Sequence, residues 1–161
     1  MQKKTLVVYY SNSGNTRKAA EYIAKAMDAE ADAVETTAFG RGFWNYLKRG
    51  WYSLRKVLVP IKPTAYDPSK FDLVIVGAPV WAGHVANPIR SYLAEYSASL
   101  PKVAFFVTLG GSGAAGALRD MREISGLNPL AELEISEKDR KTNKDVSKMN
   151  DYISHFGKLT S

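Results

Sequence analysis

The sequence predicts an α/β fold, a three-layer, doubly wound domain whose parallel sheet is covered by helices on both faces. Short and almost continuously apolar segments, typical of strands buried on both faces, alternate with segments whose apolar residues recur at helical spacing. The 161 residues, 45% of them apolar, suit one domain with a sizeable core. We therefore expect a single domain over residues 1–161, with no internal repeat or linker.

The strands are predicted from runs of β-branched and aromatic residues. The first is Leu6 to Tyr10, and a weaker one follows over 33–39. The next two, 73–77 and 103–107, are almost entirely apolar, and the last spans 130–135.

Each predicted strand is followed by a predicted helix. Apolar residues at i, i+3, i+4 and i+7 mark the first helix over 20–27, and apolar residues at i, i+3, i+7 and i+10 mark the last over 146–156. Two more helices are predicted over 89–96 and 114–124, and one lies within a long crossover over about 40–62.

Several classes of site are excluded by composition. The chain has no cysteine and two distant histidines, which excludes disulfides, thiolate metal sites and a histidine-rich metal centre. No apolar run approaches the roughly 20 residues that span a bilayer. The first residues show no signal-peptide pattern, so we expect a cytoplasmic protein.

The loop after the first strand is the strongest candidate for a binding site. Residues 11–16 combine three hydroxyl side chains with Gly14 and open onto a helix, whose free N–H groups attract anions. The loop lacks the P-loop lysine and the GxGxxG pattern, which disfavours triphosphate hydrolysis and dinucleotide binding here. The pattern predicts a phosphate site, and the alternative is a purely structural helix cap.

Two further loops follow strands whose carboxyl ends meet the same edge, where ligands bind in open α/β sheets. Residues 77–84 place Trp81 among small residues, as a flat wall for a planar ring or as a plug of the core rim. Residues 108–113 contain three glycines, which indicates either a close backbone approach to a ligand or a flexible connection.

These three loops resemble those of the flavodoxin family. Residues 11–16 fit the family's T/S-x-T/S-G-x-T phosphate loop, and residues 79–83 and 109–113 resemble its two ring loops. The resemblance covers nearly the whole chain and is to the short-chain type. It implies a five-stranded parallel sheet of order 2-1-3-4-5 that binds flavin mononucleotide (FMN).

This resemblance implies that the first loop holds the phosphate and that Trp81 stacks on the isoalloxazine ring. Ala82 and Gly83 would place backbone groups near the flavin N5 atom. Gly110 and Gly111 would lie along the pyrimidine edge of the ring. His84 is interpreted as a rim residue that could modulate the potential. No catalytic side chain and no metal ligand are expected. The candidate cofactor-binding residues are Ser11, Asn12, Ser13, Gly14, Asn15, Thr16, Pro79, Val80, Trp81, Ala82, Gly83, His84, Leu109, Gly110, Gly111 and Gly113.

The resemblance implies a carrier of single electrons between redox partners. The alternative is an FMN-dependent NAD(P)H:quinone or small-molecule reductase, whose substrate pocket the long crossover would wall off. A minor alternative is a non-catalytic binding module that uses the basic segment. Whether the chain is a carrier or an enzyme stays open at this point.

The net charge of +6 comes from one segment. No acidic residue occurs between Glu35 and Asp67, whereas acids and bases balance elsewhere. A local patch suggests an acidic redox partner or an anionic membrane surface, and nucleic acid is disfavoured because no binding motif accompanies it. The candidate docking bases are Arg41, Lys48, Arg49, Arg55, Lys56 and Lys62.

The helix within the crossover has its apolar residues on one side. At 100° per residue, an arc of about 80° contains five apolar residues. They are Phe43, Leu47, Trp51, Leu54 and Leu58. We expect the bases to lie opposite, as an ordinary solvated face or as a docking element near the flavin edge.

Overall fold

A computed structural model describes residues 3–158. The strands are β1 (Thr5–Tyr9), β2 (Glu30–Ala33), β3 (Leu73–Trp81), β4 (His84–Val85), β5 (Lys102–Leu109) and β6 (Glu132–Ser136). Five of them form a parallel sheet of order β2-β1-β3-β5-β6, which confirms the predicted 2-1-3-4-5 arrangement. The two-residue strand β4 pairs antiparallel with the end of β3.

Helices cover both faces of this sheet. The helices are α1 (Asn15–Ala26), α2 (Phe43–Leu54), α3 (Asn87–Tyr96), α4 (Ala114–Ser125), α5 (Glu137–Lys141) and α6 (Asp145–Lys158). Because side chains alternate along a strand, β1 sends Val7 to the side of α1 and α6, and Val8 to the side of α3 and α4. Phe106 and Phe105 of β5 divide in the same way, so the sheet separates two apolar cores.

The second strand differs most from its predicted position. The sequence predicts 33–39, whereas β2 pairs with β1 from Glu30, opposite Leu6, to Ala33, opposite Tyr9. Glu30 and Ala31 are exposed at this edge of the sheet, so the apolar criterion did not detect the strand. The N–H of Val34 donates to the Tyr9 carbonyl at 2.7 Å, and the chain then leaves the sheet.

The crossover contains the predicted helix, but it is shorter and its orientation is the reverse of the expected one. Helix α2 ends at Leu54, so Leu58 lies beyond it. Its polar side faces the protein, where Ser53 is fully buried, and its apolar side faces solvent, where Trp44 is 80% exposed. The interpretation of the bases as a solvated face is therefore wrong for Lys48 and Arg49, which are half-buried on the inner side of the helix.

Hydrogen bonds explain this orientation. Lys48 Nζ donates to the Ala38 carbonyl at 2.9 Å, and Ser53 Oγ donates to the Trp81 carbonyl at 2.7 Å. Asn87 Nδ2 holds the end of the helix by donating to the carbonyls of Tyr52 and Val57. The surface beneath α2 offers carbonyl oxygens, and buried carbonyls must be paired, so the polar side of the helix turns inward.

Within residues 3–158, no helix has the length and apolar character needed to cross a bilayer.

Candidate functional site

The three predicted loops meet at the carboxyl edge of the sheet. Strand pairing aligns the ends of β1, β3 and β5, with Tyr9 opposite Gly77 and Pro79 opposite Thr108. A cavity of about 650 Å³ opens between them, within the range of about 300–1,000 Å³ usual for small-molecule sites. Its lining residues are Ser13, Asn15, Lys18, Pro79, Val80, Trp81, Thr108, Leu109, Gly110, Glu137, Arg140 and Lys141.

The first loop is a turn that leads directly into α1. Gly14 adopts a left-handed conformation at φ 96°, and its N–H donates to Ser11 Oγ at 3.1 Å. Asn15 Nδ2 donates to Ser13 Oγ at 3.2 Å. No side chain caps the helix, and its first turn carries no acid, so its N–H groups face the loop without a competing negative charge.

Thr16 has a different position from its neighbours. It is 2% exposed, and its hydroxyl lies 2.8 Å from the hydroxyl of Thr108 at the end of β5. The pair joins the first loop to the third.

The second loop is a tight hairpin. Trp81 pairs with His84, and the two residues between them both have positive φ, 49° at Ala82 and 78° at Gly83. This is the pattern of a type I′ turn. Alanine is strained in that conformation, and such strain concentrates at functional sites.

Trp81 is held in place at the rim. Its ring meets the edges of Tyr10 and Phe39, with ring centres 5.6 and 5.4 Å apart. The guanidinium of Arg49 lies 5.7 Å from the ring centre, and Arg49 Nη1 also donates to Asn12 Oδ1 at 2.5 Å. Arg49, expected only as a docking base, therefore contacts two of the three loops.

The glycines of the third loop have two separate roles. A Cβ placed on Gly110 or Gly111 would meet nothing within 4 Å, so the backbone there borders free space that a planar ring can approach. A Cβ on Gly113 would lie 2.7 Å from the Gly83 Cα, and one on Gly116 would lie 2.3 Å from the Gly83 oxygen. Gly113 and Gly116 thus let α4 pack against the hairpin, whereas Gly110 lines the cavity.

Charged residues from α1 and α5 complete the cavity, and sequence reasoning missed them. Lys18, Arg140 and Lys141 contribute positive charge, and Glu137 the one negative charge among the lining residues. Lys141 Nζ lies 2.7 Å from Glu137 and lowers the pKa of that carboxyl. No sequence pattern around a lysine or arginine in a helix marks it as a ligand-binding residue. Only the fold shows that these side chains line the cavity.

His84 is anchored by a buried carboxylate that sequence reasoning also missed. Its Nδ1 lies 2.9 Å from Asp120 Oδ2, which accepts from Arg90 Nη2 at 2.8 Å and from the Val85 N–H at 3.1 Å. The side chains of Asp120 and Arg90 are 3% and 6% exposed. Asp120 thus fixes His84, Arg90 and β4 together behind the hairpin.

Over the described residues 3–158, no group of three or more His, Asp and Glu side chains could hold a metal ion.

The fold and the site together define a flavodoxin-like domain, with a hydroxyl-rich anion loop beside a cavity lined by Trp81 and Gly110. A family model described as flavodoxin matches residues 4–153. The chain therefore belongs to the flavodoxin family, as the sequence predicts. Comparison with curated protein sequences gives no match.

Solved structures support this assignment. A flavoprotein from Lactobacillus acidophilus, solved in complex with FMN, is 29% identical, with a TM-score of 0.74 over 88% of this chain and 97% of that one. A Bacteroides uniformis flavoprotein is 22% identical, with a TM-score of 0.70 over 92% and 99%. The FMN-bound flavodoxin of Fusobacterium nucleatum is 12% identical, with a TM-score of 0.61 over 98% of each chain. The last two likenesses show the fold alone.

Proposed function

We propose that this chain binds FMN at the carboxyl edge of its sheet and passes single electrons between redox partners. The observation that carries the proposal is the convergence of the three loops on one cavity of about 650 Å³. The cofactor expected from the sequence is confirmed at the level of the family, and the L. acidophilus relative was solved with FMN.

The residues around the cavity fit both ends of this cofactor. The turn around Gly14, the N-terminus of α1 and Lys18 provide donors and positive charge for a phosphate. Trp81 offers an aromatic wall, and Gly110 and Gly111 leave the space that a tricyclic ring needs beside the backbone.

Bound FMN would supply the electron chemistry, and the chain supplies binding, orientation and electrostatics. The ring loops contain no acidic side chain, so the backbone and the indole would surround the ring with little negative charge. Among the lining residues Glu137 is the acid, and Lys141 compensates its charge.

A second candidate is an FMN-dependent reductase that oxidises NAD(P)H and reduces a quinone or another small molecule. Helix α2 supports it, since Arg49 and Ser53 join that helix to Asn12 and Trp81 and build one wall beside the ring loops. Such a wall could enclose a substrate, but it could equally shape a protein docking site.

The test is a reconstitution followed by a redox titration. We expect the purified chain to take up one FMN, with quenching of tryptophan fluorescence, and to be reduced in two separate one-electron stages by visible spectroscopy. NADH or NADPH with a soluble quinone should give no sustained turnover. Failure to bind FMN overturns the proposal, whereas uptake followed by steady NAD(P)H oxidation selects the reductase.

A further inference from the structure

We propose that the outer face of α2 is a docking surface for an anionic lipid bilayer. The surface comprises the exposed large apolar side chains between positions 43 and 58. They are Phe43, Trp44, Tyr46, Leu47, Trp51, Leu54 and Leu58, and we call them the α2 apolar face.

The concentration of apolar side chains in this face is unusual for a surface helix. Among the described residues, seven of the nine exposed large hydrophobic side chains belong to it, and the other two are Leu130 and Val146. The exposed fractions within the face run from 44% at Leu47 to 80% at Trp44. A contiguous patch of this kind marks an interaction site, because the free energy falls when apolar side chains leave water.

The orientation is built into the fold and does not come from a loosely attached helix. Lys48 and Ser53 on the inner side donate to carbonyls of the body, and Asn87, which is fully buried, holds the carboxyl end. Rotation of the helix to bury its apolar side would break these hydrogen bonds and leave the partly buried carbonyls of Ala38 and Trp81 without these donors.

The charges around the face identify the occupant. Arg41 and Arg55 are exposed beside it, and no acidic residue occurs from position 36 to 66. The guanidinium of Arg55 lies 4.6 Å from the centre of the Trp51 ring, so cation and aromatic ring are presented together. Aromatic and leucine side chains bordered by arginine and lysine are typical of helices that lie in the surface of an anionic bilayer.

Other occupants fit less well. A second copy docked through the same face would oppose its own bases, with no acid on the segment to compensate. Transient electron-transfer partners use small contact areas that depend on complementary charge, and they do not need so many large apolar side chains.

Docking through this face would bring the cavity near the membrane. Ser53 and Arg49 contact Trp81 from the inner side of α2, and Leu47 and Trp51 lie on its outer side. One helix diameter, about 10 Å, therefore separates the aromatic wall of the cavity from the proposed bilayer surface. The docking itself does not depend on the cofactor, so it can be tested apart from the proposed function.

The experiment is co-sedimentation of the full chain, with and without added FMN, with vesicles. Vesicles of phosphatidylcholine mixed with phosphatidylglycerol should retain the protein, and vesicles of phosphatidylcholine alone should retain far less. The variant Phe43→Ser/Trp44→Ser/Trp51→Ser should lose binding by at least about tenfold. Its matched control is Leu130→Ser/Val146→Ser, which removes exposed apolar side chains elsewhere and should bind as the wild type does.

A second variant tests the contribution of charge to vesicle binding separately from that of the apolar side chains. It changes residues that flank α2 and none within it. Arg41→Gln/Arg55→Gln should weaken binding to the anionic vesicles by roughly thirty-fold, as expected when two basic residues near the surface are lost. The control Lys25→Gln/Lys144→Gln changes two exposed lysines outside the segment and should have little effect. Circular dichroism and thermal unfolding confirm that each variant is folded.

The proposal is overturned if folded wild-type protein binds neither vesicle. Two results in the absence of vesicle binding would also overturn it by identifying another occupant. In one, the wild-type chain forms a concentration-dependent dimer that the triple serine variant does not form. In the other, a redox protein reduces the triple serine variant more slowly than the wild type. If the wild-type chain binds anionic vesicles but takes up no FMN, the proposed function is contradicted and this inference stands.

Discussion

The hydroxyl groups of Thr16 and Thr108 lie 2.8 Å apart, although 92 positions separate them in the chain. Both residues are nearly fully buried, at 2% and 4% exposure. Their hydrogen bond joins the start of α1 to the end of β5 and fixes the distance between the anion loop and the glycine-rich loop.

Replacement of Thr108 by valine tests this connection. Thr108→Val removes one partner and leaves the Thr16 hydroxyl buried without it, so the free energy of unfolding should fall by about 1–3 kcal/mol. Thr16→Val/Thr108→Val should cost less than the sum of the single changes. Urea denaturation of the four proteins gives the coupling energy, and strict additivity would contradict a direct hydrogen bond.

A substitution at Trp81 tests the aromatic wall. Trp81→Ala should weaken FMN binding by about 1–3 kcal/mol, the range for loss of a buried apolar side chain of this size. Trp81→Phe should recover part of the affinity, since a flat ring remains. Trp44→Ala is the matched control, because that tryptophan is 80% exposed and contacts no ring loop. Isothermal titration with FMN measures all three, and equal affinities would count against a role in ring binding.

Replacement by alanine should affect FMN binding at Gly110 and the stability of the fold at Gly77. A Cβ on Gly110 enters free space, so Gly110→Ala should leave the unfolding free energy nearly unchanged and weaken FMN binding, because the methyl group occupies part of the cavity. A Cβ on Gly77 would lie 1.9 Å from the Phe106 ring, so Gly77→Ala should destabilise the fold by about 1–3 kcal/mol or more. Thermal unfolding and an FMN titration separate the two effects, and unaltered FMN affinity in Gly110→Ala would remove that residue from the site.

Much of this architecture is readable in the sequence because it depends on local patterns. The apolar runs around Val7, Ile75 and Phe106 specify strands buried on both faces, and alternation with helices then leaves few topologies. The turn at Gly14 is likewise local, since both the left-handed glycine and the hydroxyls belong to one short loop.

Features that depend on distant partners could not be predicted. Asp120 holds His84 across 36 positions, and Arg140 reaches the Leu109 carbonyl across 31. The orientation of α2 depends on what lies beneath it. Periodicity shows that one side is apolar, but the carbonyls of Ala38 and Trp81 decide which side turns inward.

Gly50 lies inside α2 and offers a test of helix stability that changes no contact. A Cβ at this position would meet nothing within 4 Å, so Gly50→Ala should stabilise the protein by up to about 1 kcal/mol through helix propensity. Gly42, just before the helix, has φ 100° and ψ 172°, a region that alanine avoids. Gly42→Ala should therefore destabilise by about 1–3 kcal/mol. Chemical denaturation should give changes of opposite sign, and a shared sign would contradict the helix boundary at Phe43.

Asp139 should make the fold sensitive to acid. Its carboxylate accepts from Lys148 at 2.9 Å and from the Ser136 N–H at 2.8 Å, and these contacts lower the pKa of Asp139 from 3.8 to about 2. Because the folded-state pKa lies below the unfolded value, this stabilisation is complete above pH 3.8 and is lost as the pH falls toward 2.

Asp139→Asn should cost about 1 kcal/mol at neutral pH, the usual value of a helix cap, and should flatten the decline of stability between pH 3.8 and 2. Asp151→Asn, at an exposed position on α6, is the control, and urea midpoints at several pH values provide the measurement. Since α5 carries the cavity residues Glu137, Arg140 and Lys141, the Asp139 variant should also bind FMN more weakly. An acid profile identical to that of the wild type would show that Asp139 does not hold α5 in place.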